Sequence, residues 1–207
     1  MMEKTTAAVL QAEIEWLKNI IVRRLNIALD KPYTDNGNAE RKKHSHVDDL
    51  LPPVLDDDES EYAALVKSRD LSVENRLLLI MGIVHHVLPA FYDRLIIAHP
   101  DYAAAQKEPV RYKTRFNELG GISSDNFRGF IPTGLTWLYL LAGDNLERRI
   151  ELMTTMNKNN PLLADKIILF PPVKEFEPVM SAPIAVAHDW LRHLIVGDLQ
   201  VEEKEIA

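Results

Sequence analysis

Apolar positions recur at spacings of three and four along the first thirty residues. Leu10, Ile14, Leu17, Ile21, Leu25 and Ala28 form one stripe, which predicts a helix from Thr5 to Leu29. Lys18, Arg23 and Arg24 fall off that stripe or at its edge. The pattern stops at Pro32, which disfavours helical geometry at Lys31. A helix of this length with a single apolar stripe must pack on something, either the core of its own chain or a second copy. Residues 30–60 then lose the period. They hold Asp35-Asn36-Gly37-Asn38, the basic cluster Arg41-Lys42-Lys43, Pro52-Pro53 and the acid run Asp56 to Glu59. Prolines and like charges both oppose regular structure, so the segment reads as a long surface loop, mobile or in contact with a partner. The acid run lacks the alternating oxygen ligands and central glycine of a calcium loop and reads as solvated.

A second helix is expected from Ser72, whose hydroxyl can cap the first turn while Glu74 favours its positive end. Leu77 to Leu88 is apolar almost all round, which predicts a central helix. Pro89 marks a kink or restart, and Phe91, Leu95 and Ile96 continue a short helix to His99-Pro100. Residues 101–131 carry loop chemistry, with Gly120-Gly121 and Ser123 to Asn126. A third helix follows Pro132-Thr133-Gly134 and holds Trp137, Leu138, Leu140 and Leu141, with Gly143 placed to end it. Asp144 is the expected cap of the next helix. There Leu146, Ile150 and Met153 share one face, and Glu147, Arg148, Arg149 and Glu151 lie largely outside it.

After Pro161 the period shortens. Lys166 to Phe170 and Pro183 to Ala187 read as two short strands separated by a long loop, and Asp189 to Val196 as a last helix closed by Gly197. The reading is a mainly α (α+β) chain. A helical part covers residues 1–100, with its long loop at 30–60. A winged-helix-like part with a small β-hairpin covers 101–200, and 201–207 form a charged tail or the start of a linker.

Charge and composition narrow the function. With 24 basic and 31 acidic side chains, the formal charge of −7 disfavours general affinity for nucleic acid or anionic membranes. The chain has no cysteine, which excludes a disulfide scaffold, thiolate metal sites and a Cys nucleophile, and favours a reducing compartment. The longest apolar run, Leu77 to Val84, is far short of the roughly 20 residues of a membrane span. The first residues lack the apolar run of a signal peptide. A cytoplasmic protein with no membrane partner is expected.

Motifs for chemistry are weak. Gly129 and Gly134 match the glycine spacing of a phosphate-binding loop, but the following Lys is missing and Pro132 removes a donor. The stretch reads instead as a loop that sets where the third helix begins. His44 and His46 sit one residue apart in the long loop. His85 and His86 are adjacent on a helix and point about 100° apart. His188 and His193 are five apart, where a zinc-protease pair wants four. His99 stands alone, and no GxSxG elbow is present. No catalytic, cofactor or metal residue is assigned, and no enzyme activity is expected of the chain.

Asn126 to Leu152 reads NFRGFIPTGLTWLYLLAGDNLERRIEL and is followed by Asn159-Asn160-Pro161-Leu162 and Ile167-Ile168-Leu169. This stretch resembles the N-terminal winged-helix-variant domain that precedes AAA+ ATPase modules, notably those encoded with extracellular contractile injection systems. Leu71 to Leu88, LSVENRLLLIMGIVHHVL, resembles the helix upstream in that family. The resemblance implies a regulatory or recognition domain that contacts a protein partner or neighbouring ATPase subunits, while the ATPase module hydrolyses ATP. The chain itself carries no Walker A motif. Arg148 and Arg149 are the candidate partner-contact residues, with pairing to Glu147 and Glu151 as their alternative role. A DNA-binding winged helix is the second reading. Against it, Asp144 to Met156 sets three carboxylates against two arginines, and the inter-strand loop sets Lys174 against Glu175 and Glu177. Neither presents the positive field that phosphate contact needs.

Overall fold

The apolar run around residue 80 becomes the centre of the molecule. In the computed structural model, residues 6–28, 47, 49–97 and 119–197 are described. Helix α1 spans Thr6–Ala28, α2 Glu61–Ser68, α3 Val73–Val87 and α4 Phe91–Ile97. Then follow α5 (Gly134–Ala142), α6 (Leu146–Thr155) and the single turn α7 (Pro161–Ala164). Strands β1 (Ile168–Leu169) and β2 (Ala185–Val186) precede the last helix, α8 (His188–Val196). The strands pair antiparallel, Ile168 opposite Val186 and Leu169 opposite Ala185. The structure is therefore mainly helical with a small hairpin near its C-terminal end, as the periodicity predicts.

Short polar side chains set the helix starts. Ser60, Ser72, Asn145 and Asn160 each accept a bond from a first-turn N–H, which removes an otherwise orphaned donor. Thr133 and Thr136 form a reciprocal capping box at α5. The Thr133 hydroxyl also donates to the Gly120 carbonyl at 2.6 Å, and the Gly134 N–H donates to Ala182 at 3.1 Å. The Pro132-Thr133-Gly134 step thus joins three separate segments where α5 begins. A side chain at Gly134 would meet Met180, so the glycine serves close packing there.

Residues Leu77 to Val84 of α3 are wholly buried on every side. Helices α1, α4 and α5 and strand β2 all pack against α3. The two parts of the chain, 1–100 and 101–200, share one core, because buried residues from Val9 to Leu194 belong to a single apolar cluster. Hairpin side chains approach the backbone of α3 at Gly82. A Cβ there would lie 2.7 Å from Val186 Cγ2, 3.2 Å from Ile184 Cγ2 and 3.3 Å from Ile168 Cδ1. The hairpin can lie against the central helix only because this position has no side chain.

Some polar groups inside the core have specific partners, while others, such as Glu13 Oε2 and Arg76 Nε, have none among the described residues. Arg76 on α3 pairs with Glu13 of α1 and donates to the Pro53 carbonyl at 2.9 Å. Burial pushes the Glu13 carboxyl above its usual range, and the attraction of Arg76 only partly offsets this. The buried Trp137 indole donates to Glu74 O at 2.9 Å, and the Tyr92 hydroxyl to Met81 O at 3.1 Å.

Several expectations are corrected. Arg23 and Arg24 are buried, not at the edge of α1. Arg23 pairs with Asp49, while Arg24 donates to the Leu140 and Leu141 carbonyls at 2.9–3.0 Å and so closes the C-terminal end of α5. Residues 50–60 have no helix or strand, as expected, but Asp58 is buried rather than solvated and caps the turn before α2 by accepting from Ser60 N. Helices α2 and α7 are additions to the sequence reading. Asn145, not Asp144, caps α6. The predicted loop at 30–46, His99 and the tail at 201–207 lie outside the described residues.

Two outcomes follow for stability. Gly82→Ala gains about 1 kcal/mol of helix propensity but overpacks against Val186, at a cost of about 1–3 kcal/mol. Thermal denaturation should show a net loss, relieved when Val186→Ala is added. Arg76→Met leaves Glu13 buried and unpaired and should cost about 3–5 kcal/mol in urea unfolding. Adding Glu13→Leu should recover much of that loss.

Candidate functional site

Helix α6 departs from the usual inside–outside pattern by exposing three large apolar side chains. The chain leaves α5 through Gly143, whose φ of +54° only glycine adopts without strain. A side chain at Gly143 would also strike Arg24 Nη1 at 2.6 Å. Asn145 then starts α6, and its Oδ1 accepts from Arg148 N at 3.0 Å. Leu152 is buried against the core. Leu146, Ile150 and Met153 are exposed by 70%, 55% and 46%. At 100° per residue they lie within one stripe, and that stripe faces away from the protein.

Arg148 lies on the side of α6 away from that stripe, and Arg149 on the flank beside Met153. Arg148 Nη2 reaches Glu74 Oε1 on α3 at 2.7 Å, and Nη1 reaches Glu151 at 3.2 Å. Burial raises the Glu74 carboxyl, but bonds from its own backbone N–H and Ser72, with Arg148, outweigh this and hold it below its usual range. Arg149 Nε donates to the Gly143 carbonyl at 2.6 Å. Both arginines are half-buried and spent on the fold. Spacing alone groups the apolar triplet on one face and places the arginines off it. Which face would turn outward is decided by Glu74, a residue 74 positions away from Arg148.

Other candidates resolve into packing. Gly129 lies under the Phe127 ring and beside Asp93, so the phosphate-loop spacing serves close contact. His85 and His86 have ring centroids 4.2 Å apart, closer than their helical directions suggest. His193 pairs with Glu61 of α2 at 3.1 Å. His44 and His46 lie outside the described residues. Among the described residues no group of three or more His, Cys, Asp or Glu could hold a metal ion. A groove of about 380 Å³ at the α3–α4 turn is lined by Leu88, Pro89, Ala90, Phe91 and Leu95, with Lys18 and Arg94 as its charged residues. The inter-strand loop exposes Phe176 and Val179. No helix among the described residues is long and apolar enough to cross a membrane.

Comparison with family models, curated proteins and solved structures found no match. The functional reading therefore rests on the geometry and on the residues themselves.

The histidine pair has a consequence for pH. Burial, then the neighbouring His86, lowers the His85 pKa from 6.5 to about 4. The unfolded chain takes up this proton first, so stability present above pH 6.5 is lost as pH falls towards 4. The loss amounts to at most about 3 kcal/mol. In melts across this window, His85→Gln should lose less stability on acidification than the parent chain.

Proposed function

We propose that the chain is a non-catalytic protein-interaction and regulatory domain that serves an AAA+ ATPase, as its N-terminal domain or as a companion. The outward stripe of Leu146, Ile150 and Met153 carries this reading. A core-facing helix hides its apolar stripe, whereas one that docks a partner displays it. The observed order of helix, turn, helix, a single helical turn and two strands supports a winged-helix-like second half. The resemblance of RGFIPTGLT and LLAGDNLERRIEL to the domain before AAA+ modules supplies the class of partner. In this reading Arg148 and Arg149 position α6 from behind, and the apolar stripe makes the contact. A cytoplasmic setting goes with it.

DNA binding is less well supported. A reading helix offers cations to phosphate and base edges. Here both arginines of α6 are half-buried and bonded within the chain, and its outer side is apolar and acidic.

Leu146→Asp combined with Ile150→Asp should leave folding within about 1 kcal/mol of the parent, since both positions are exposed. The same pair should abolish the effect of the chain on ATP turnover by the ATPase it accompanies. Turnover by the purified chain alone, or an ATPase response indifferent to the stripe, would refute the proposal.

A further inference from the structure

The rim of the α6 stripe has a definite sign. Asp144 and Glu147 are exposed at its N-terminal end, with no ion-pair partner among the described residues. Glu151 follows one turn beyond Glu147 and is exposed, with Arg148 on its inner side. The two cations of the helix are half-buried and already have partners within the chain. Arg148 is shared between Glu74 and Glu151, and Arg149 is bonded to the Gly143 carbonyl. The surface is thus an apolar ridge with an acidic edge, on a chain whose formal charge is −7.

We infer that the occupant of this ridge is a basic amphipathic helix of a protein partner, with an apolar stripe that meets Leu146, Ile150 and Met153 and Lys or Arg residues along the flank that meets Asp144, Glu147 and Glu151. The inference rests on the interaction reading above and adds the chemistry of the partner. Charge complementarity selects this occupant over the alternatives. An anionic bilayer is repelled by the acidic edge. A second copy docked antiparallel about a two-fold axis sets each acidic edge beside its own duplicate, and like charges there oppose pairing. A basic helix gains attraction along the edge while its apolar stripe covers the ridge.

The test uses three synthetic peptides of about 15 residues, long enough to take up helix on docking. They share one leucine stripe and differ only in flanking residues: lysine, glutamine or glutamate. Binding to the full chain is followed by fluorescence anisotropy at low and high salt. The lysine peptide is expected to bind about tenfold or more tighter than the glutamate peptide at low salt, with the difference shrinking as salt rises. Asp144→Lys with Glu147→Lys should reverse the order, and Ile150→Asp should abolish binding of all three. Equal binding of the three peptides overturns the basic-partner inference and leaves the interaction reading standing. Binding of none overturns a helical occupant. Self-association of the parent chain in sedimentation, lost with Ile150→Asp, overturns it in favour of a second copy. An ATPase response that ignores the stripe variants removes the underlying reading, whatever the peptides do.

Discussion

A helix that is apolar on every side can exist in water only if other elements cover it completely. That requirement on α3 organises the rest of the structure. Its buried span from Leu77 to Val84 recruits α1 and α4 from the first half of the chain and α5 and the hairpin from the second. Gly82 lets the hairpin lie against the helix backbone. The charge just before this span, Arg76, is met by Glu13, which ties α1 to the same centre at the expense of desolvating both groups. The two halves consequently share a core, and neither has an apolar interior of its own to retreat to.

The parts of this fold legible in the sequence are those with strong local signals. The stripe of α1, the Ser72 cap, the all-round apolarity of α3, the Gly143 stop and the two β-branched segments each state their structure within a few residues. Failures occurred where a distant partner decides the outcome. Arg23 and Arg24 look like surface cations until Asp49 and the α5 carbonyls are brought to them. Asp58 looks like one member of a solvated acid run until the turn before α2 folds around it. Helix α2 is eight residues long and follows the proline-bearing, acidic stretch that reads as loop.

The candidate site shows the same division. Sequence spacing alone groups Leu146, Ile150 and Met153, but spacing carries no information about which way a helix is turned. That choice is made by the bond between Arg148 and Glu74 and by the burial of Leu152. Arg148 and Arg149 are half-buried and bonded within the chain, and Leu146, Ile150 and Met153 are the more exposed. An amphipathic helix is equally regular whether its greasy side faces the core or a partner.

The grip of Arg24 on the last carbonyls of α5 has a mechanical consequence. Its guanidinium is buried and lies directly behind Gly143, the pivot from which α6 departs. Any swing of α6 about that pivot would drag a cation out of its oxygen cradle and across an apolar interior. The 23-residue α1 is therefore joined rigidly to the base of the exposed helix. A pull applied at the α6 ridge is borne by the longest of the described helices and not absorbed by a loose joint.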